Sequence, residues 1–270
     1  MANPLLNDKA ADAAARAGWA APEASGRSTP IGPITDGPVS AWSSGATMTV
    51  QGTATATGVL LVLLLATASV GWSMTHSSLV SNVGFPVLAL VAMLVGFGCA
   101  IALRFRPTMA KVLAPVYALA EGFFLGVISK FYNDAYKGIV VQAVGATLAV
   151  FAVMLLLYRS RIIKVTDRFR RNVIMATMGL AAFYMVSIVL HLFGVTVPFI
   201  DSASPLGILF SVFAAGLAAM MLAVDFDLIE RGAKAGWPKG MEWYCAFGLL
   251  ATLVWLYLEI LRLLAKLQRR

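Results

Sequence analysis

Three acidic side chains follow a long uncharged stretch of the chain. Residues 202–224 contain no Asp, Glu, Lys or Arg, and the next six residues read Asp225-Phe-Asp227-Leu-Ile-Glu230. An ionised carboxylate in hydrocarbon is costly, so it must find a cation, a hydrogen-bond donor or water, or take up a proton. Asp225 is therefore the first candidate for proton sensing or gating, with Asp227 and Glu230 as secondary candidates.

Two further carboxylates interrupt apolar segments, Glu121 and Glu259. We group both with Asp225 as gating or proton-sensing candidates, because ionisable residues inside a membrane are functional candidates by default. Glu242 and Arg231 are secondary candidates, the arginine as a cation that could pair with Asp225.

Other kinds of catalytic and metal chemistry lack the residues they need. His76 and His191 are the only histidines and neither has a second ligand at helical spacing, while Cys99 and Cys245 both lie in apolar segments. A retinal Schiff base needs a buried lysine, but the last apolar segment has no Lys before Lys266, near its end. An intramembrane aspartyl protease needs two facing aspartates, and this segment contains no partner Asp for Asp225. We expect no enzyme, no cofactor and no fixed metal site.

The composition indicates a membrane protein with several crossings. Apolar residues make up 60% of the chain and charged residues 13%, against roughly 25% charged in soluble domains. Helices of membrane-spanning length are predicted at about 55–74, 84–103, 112–131, 138–158, 172–200, from 205, and 241–267. The fold class is thus an all-α bundle of seven transmembrane helices over residues 51–270. Residues 1–50, rich in Ala, Gly, Ser and Pro, are predicted to be a disordered cytoplasmic tail.

Basic residues are distributed unevenly among the connections. The connections after the second, fourth and sixth helices carry three, six and three Lys or Arg residues, whereas those on the other side hold only Lys130 and Lys137. The positive-inside rule then puts the amino terminus in the cytoplasm. Four basic residues near the carboxyl terminus oppose a seventh crossing, so this helix either crosses or re-enters. Beside a membrane, basic loops serve topology and anionic lipid, and we expect no nucleic-acid partner.

Three motifs resemble one membrane-protein family over roughly residues 50–267. The segments Asp225-Phe-Asp-Leu-Ile-Glu230, Trp255-Leu-Tyr-Leu-Glu-Ile-Leu261 and Ala118-Leu-Ala-Glu-Gly-Phe-Phe-Leu-Gly126 resemble the Bax inhibitor family (transmembrane BAX-inhibitor-motif proteins) in its bacterial branch. The resemblance implies a seven-helix bundle with a central last helix, in the bacterial inner membrane. It also implies a pH-sensitive calcium leak, closed by a pair of acids that would be Asp225 and Glu259. Carboxylate and carbonyl oxygens suit calcium, which could bind transiently at Asp225.

Helix geometry leaves the partner of Asp225 open. Asp225 lies within about two turns of the end of its helix, whereas Glu259 lies about 27 Å into the next one. Asp227, Glu230, Glu242 or a loop arginine could be its partner instead.

Two other functions remain compatible with the sequence. One is a non-transporting regulator that binds another membrane protein, such as a protease or stress factor. The other is a proton-coupled cation exchanger.

Overall fold

The computed structural model describes residues 47–75, 87–194 and 202–269. These residues form seven helices that are long and apolar enough to cross a membrane. They are α1 Val50–Met74, α2 Val87–Phe105, α3 Ala110–Ala135, α4 Ile139–Arg159, α5 Asp167–Leu192, α6 Pro205–Lys234 and α7 Met241–Gln268. The prediction of an all-α bundle of seven transmembrane helices is confirmed, and the protein is a multi-pass membrane protein.

The fifth helix differs most from its predicted bounds. It begins at Asp167, five residues before the uncharged run, because the Thr166 hydroxyl caps it by accepting a hydrogen bond from the Phe169 amide at 3.2 Å. It ends at Leu192, before Gly194, whose φ of 79° is left-handed. The rest of the predicted segment, 195–200, lies outside the described residues.

The last helix, α7, is the centre of the bundle. It packs on α6, α1, α4 and α3. Half of its apolar window is buried inside the protein, against 11% for α5. The buried side chains of α7 therefore form much of the core, as the family resemblance implies.

α7 runs through the bundle from one end to the other. Thr49, before α1, contacts Glu242 at the start of α7, and Arg269 at its other end donates a hydrogen bond to the Tyr136 hydroxyl between α3 and α4. The buried Lys266 ammonium donates to the Gly207 carbonyl and the Ser211 hydroxyl of α6. The structure thus favours a crossing over a re-entrant turn, because basic groups near the end of α7 have partners within the protein.

Glycines allow α1 and α3 to approach closely. A Cβ atom at Gly122 or Gly126 of α3 would collide with the Leu64 or Ala68 carbonyl of α1, and one at Gly71 of α1 would collide with the backbone of α3. Such small-residue spacing is typical of closely packed membrane helices. This close packing holds α3 against α1 and thereby sets the height of Glu121 in the bundle.

A short segment before α1 lies on the connection between α6 and α7. The Met48 amide donates to the Trp237 carbonyl at 2.7 Å, and the Met48 side chain is only 2% exposed. Residues 47–50, which the sequence assigns to the tail, are therefore packed or helical. Residues 1–46 of that predicted tail lie outside the described residues.

Candidate functional site

Asp225 is buried where α6 packs against α7. The Asp225 residue is only 7% exposed. Its neighbours on α7 include Cys245 and Thr252, whose hydroxyl donates a hydrogen bond to the Gly248 carbonyl at 3.1 Å. Its second carboxylate oxygen, Oδ2, has no hydrogen-bond partner among the described residues. A buried charge normally requires a cation or several donors, so this carboxyl is unusually poorly compensated.

The α6–α7 hairpin sets the depth of this site. Asp225 precedes the end of α6 by nine residues, about 13 Å, and Thr252 follows the start of α7 by eleven, about 16 Å. Gly236, with φ of 66°, allows the tight connection between the two helices. The site therefore lies well inside the protein and away from the helix ends.

Glu259 belongs to a different cluster, between α5 and α7. Its carboxylate accepts hydrogen bonds from the Tyr184 hydroxyl at 2.8 Å and the Trp255 indole at 3.2 Å, and forms an ion pair with Arg262 at 3.3 Å. The Arg262 guanidinium also lies over the Tyr184 ring, 5.1 Å from its centroid. Glu259 is thus a compensated carboxylate, although only 2% of the residue is exposed.

The acid pair implied by the resemblance is not formed. Thr252, the neighbour of Asp225, precedes Glu259 by seven residues, which is about 10 Å along α7. The two carboxyl groups therefore occupy separate levels of the bundle. The physical reason is the register of the hairpin, which places Asp225 two turns nearer the connection.

Asp227 and Glu230 have partners on their own helix. Arg231 forms an ion pair with Asp227 at 2.5 Å, and Lys234 forms one with Glu230 at 2.5 Å. Glu230 also accepts a hydrogen bond from the Tyr158 hydroxyl of α4 at 2.5 Å. Neither acid, nor Arg231, is therefore the partner of Asp225.

Glu121 is half-buried and faces α2. Its carboxylate lies against Gly96, where a Cβ atom would approach it to 2.9 Å. No hydrogen bond or ion pair of Glu121 is found among the described residues. Glu121 follows the start of α3 by eleven residues, about 16 Å, so its depth is similar to that of Asp225.

Glu242 joins the beginnings of α1 and α7. Its carboxylate accepts hydrogen bonds from the amide and the hydroxyl of Thr49, at 3.0 and 3.1 Å. Gly52 leaves room for it, since a Cβ atom there would collide with the carboxylate. Glu242 is therefore a structural residue that fastens α1 to α7, and not part of the Asp225 site.

Sequence reasoning missed Thr252 and misplaced Lys130. Residues equidistant from the centre of a helical hairpin lie at the same height, and this rule, applied to residues 235–240, points from Asp225 to Leu250, two residues before Thr252. Lys130, counted above as a connection residue, is a buried residue of α3 that pairs with Asp134 and lies over Trp72. The four-residue spacing of Lys130 and Asp134 was the available signal.

The arrangement can exchange a proton at a single buried carboxyl and offer its oxygen to a passing cation. No group of three or more His, Cys, Asp or Glu side chains that could hold a metal ion occurs in the described part of the chain.

Comparison with known proteins agrees with the fold and the motifs. Searches of the curated proteins and of the solved structures found no match. The family model described as Bax inhibitor 1 like matches residues 3–269, nearly the whole chain. With its seven helices and central α7, this protein belongs to the Bax inhibitor 1 like family.

Proposed function

We propose that this protein is a proton-regulated cation leak of the bacterial inner membrane, with calcium as its main ion. The observation that carries the proposal is the buried carboxyl of Asp225 at the α6–α7 interface, whose Oδ2 has no hydrogen-bond partner in the described part of the chain. The uneven distribution of Lys and Arg among the loops supports a cytoplasmic amino terminus.

Protonation of Asp225 is coupled to how α6 and α7 pack. Because its neighbours Thr252 and Cys245 are neutral, the closed packing tolerates a carboxylic acid far better than a carboxylate. Ionisation therefore favours an arrangement in which water or a cation reaches the carboxylate. Separation of the two helices at this level would supply such an arrangement, and pH would then control the leak.

Calcium suits this site because its ligands are hard oxygens. A carboxylate, the Thr252 hydroxyl and backbone carbonyls can each replace part of a hydration shell as the ion passes. A single carboxylate binds weakly, which allows the ion to leave, as conduction requires.

The test is calcium flux into liposomes that contain only the purified protein, measured at pH 6 and pH 8. The Asp225→Asn variant is expected to lose the pH dependence of flux, since the amide cannot ionise. Asp227→Asn is the matched control: it removes an acid two residues away that is already paired with Arg231, and its flux should remain pH-dependent.

Two results would contradict the proposal. Flux through the wild-type protein no greater than in empty liposomes would favour a non-transporting regulator of another membrane protein. Saturable flux that requires a counter-gradient of protons would favour a proton-coupled exchanger.

A further inference from the structure

A groove runs along the bundle between α1 and α4. Its floor is formed by α7 and α3 in one part and mainly by α6 in the other. Both α1 and α4 pack on α7. The residues of α1 that line the groove, from Val50 to Trp72, recur at helical spacing on one face. That face is about 33 Å long, close to the roughly 30 Å thickness of a hydrocarbon core.

The groove has an apolar part and a basic part. The apolar part is a cavity of about 500 Å³ lined by side chains such as Leu65, Val144 and Leu253. The basic part is a cavity of about 610 Å³ near the start of α1 and the end of α4. Phe151 lines both cavities, so they are successive parts of one groove.

Positive charge dominates the basic part. Its two acids, Asp227 and Glu230, are paired with Arg231 and Lys234 of their own helix. Three further cations line the same cavity and form no ion pair with a described residue: Arg159, Arg161 and Lys164.

Arg161 occupies a backbone position that normally favours glycine. Its φ is 57°, and the next amide, of Ile162, donates to the Leu157 carbonyl at 3.1 Å, which closes the end of α4. A left-handed residue at this place is usually Gly, because a Cβ atom is disfavoured there. A guanidinium is therefore held at the mouth of the groove at a conformational cost that glycine would avoid.

We propose that this groove binds an anionic phospholipid, with its phosphate at Arg159, Arg161 and Lys164 and an acyl chain along α1 and α4. From Arg159 to Val144, α4 rises about 22 Å, which matches the depth of one bilayer leaflet with its headgroup. An uncharged groove would take any acyl chain, whereas these cations select lipids that carry net negative charge.

The test is native mass spectrometry of the full-length protein, released from bilayers with equal amounts of phosphatidylglycerol and phosphatidylcholine. Wild-type protein should retain phosphatidylglycerol preferentially. Arg161→Gly should lower that retention about fivefold. The same change should not lower the thermal midpoint of unfolding, because glycine suits the left-handed backbone. This variant therefore separates lipid binding from folding.

Two more variants provide a control for the cations and a test of the acyl-chain position. Arg168→Gln removes an exposed cation of α5 that does not line the groove, and its lipid retention should equal that of wild type. Val144→Trp fills the apolar cavity and should displace the lipid while leaving the three cations in place.

The proposal is overturned if both lipids are retained equally, or if Arg161→Gly retains as much phosphatidylglycerol as wild type. It is also overturned if inorganic phosphate alone displaces the bound lipid, which would indicate an anion site independent of the acyl chain. Dimers that lose lipid as they form would instead assign the groove to a second copy of this chain.

Discussion

At the scale of single residues, the buried acids divide by how well their charges are compensated. Asp225 has a hydroxyl neighbour, Thr252, whereas Glu259 has a cation and two hydrogen-bond donors. A compensated acid stabilises one packing, and a poorly compensated acid favours whichever packing matches its charge. We therefore expect Asp225 to respond to pH and Glu259 to stabilise the fold.

The Glu259 cluster leads to a prediction about stability. Arg262→Met removes the cation and leaves a buried carboxylate, so we expect a loss of about 3–5 kcal/mol in the free energy of unfolding. Glu259→Gln should cost less, because an amide can still accept hydrogen bonds from Tyr184 and Trp255. Thermal unfolding in detergent measures both. Equal losses in the two variants would show that the ion pair does not compensate Glu259.

The Glu259 cluster also leads to a prediction about the pH dependence of calcium flux. If Asp225 controls the flux without Glu259, calcium flux through the Glu259→Gln variant in liposomes should still depend on pH. Loss of pH dependence in both Glu259→Gln and Asp225→Asn would instead restore the acid pair implied by the family resemblance.

At the scale of helices, glycines decide how closely α1 and α3 pack. Gly126→Ala places a methyl group against the Ala68 carbonyl, and we expect it to lower the free energy of unfolding by about 1–3 kcal/mol. Gly145→Ala in α4 is the control. Nothing lies within 4 Å of the Cβ atom it adds, so it should be neutral or stabilise by about 0.5–1 kcal/mol. Thermal unfolding of the two variants compares them directly, and equal midpoints would contradict close packing at Gly126.

The contact between Glu242 and Thr49 also belongs to this scale. Glu242→Ala removes an acceptor of two hydrogen bonds. It should lower the free energy of local opening at the start of α1 by about 1–3 kcal/mol. Faster hydrogen exchange at residues 49–53 would report the change. Glu230→Ala instead removes a half-buried carboxylate that is bound to Tyr158 and Lys234, and it should leave exchange at residues 49–53 unaltered.

At the scale of the whole molecule, the sequence predicts the helices better than it predicts which side chains are hydrogen-bond or ion-pair partners of the buried acids. Uncharged runs delimit seven spans because hydrocarbon excludes charge, although α5 starts inside a charged segment that Thr166 caps. Which acid meets which partner depends on the heights and rotations of packed helices. Those are set by details such as Gly122 against Leu64, which composition and hydropathy do not encode. Asp225 was therefore identifiable as a candidate, while its separation from Glu259 required the structure.

The central position of α7 has a consequence for biosynthesis. A ribosome makes α1 first and α7 last, so the nascent chain inserts six helices before the helix that most of them pack against exists. Until then Asp225 lacks Thr252, and the Thr49 hydroxyl lacks Glu242. The α1–α3 contact, which needs only the first half of the chain, can form early and hold the start of the bundle together. Packing of α7 is thus a late step of assembly, and a chain stopped before α7 would leave Asp225 and Thr49 without these contacts.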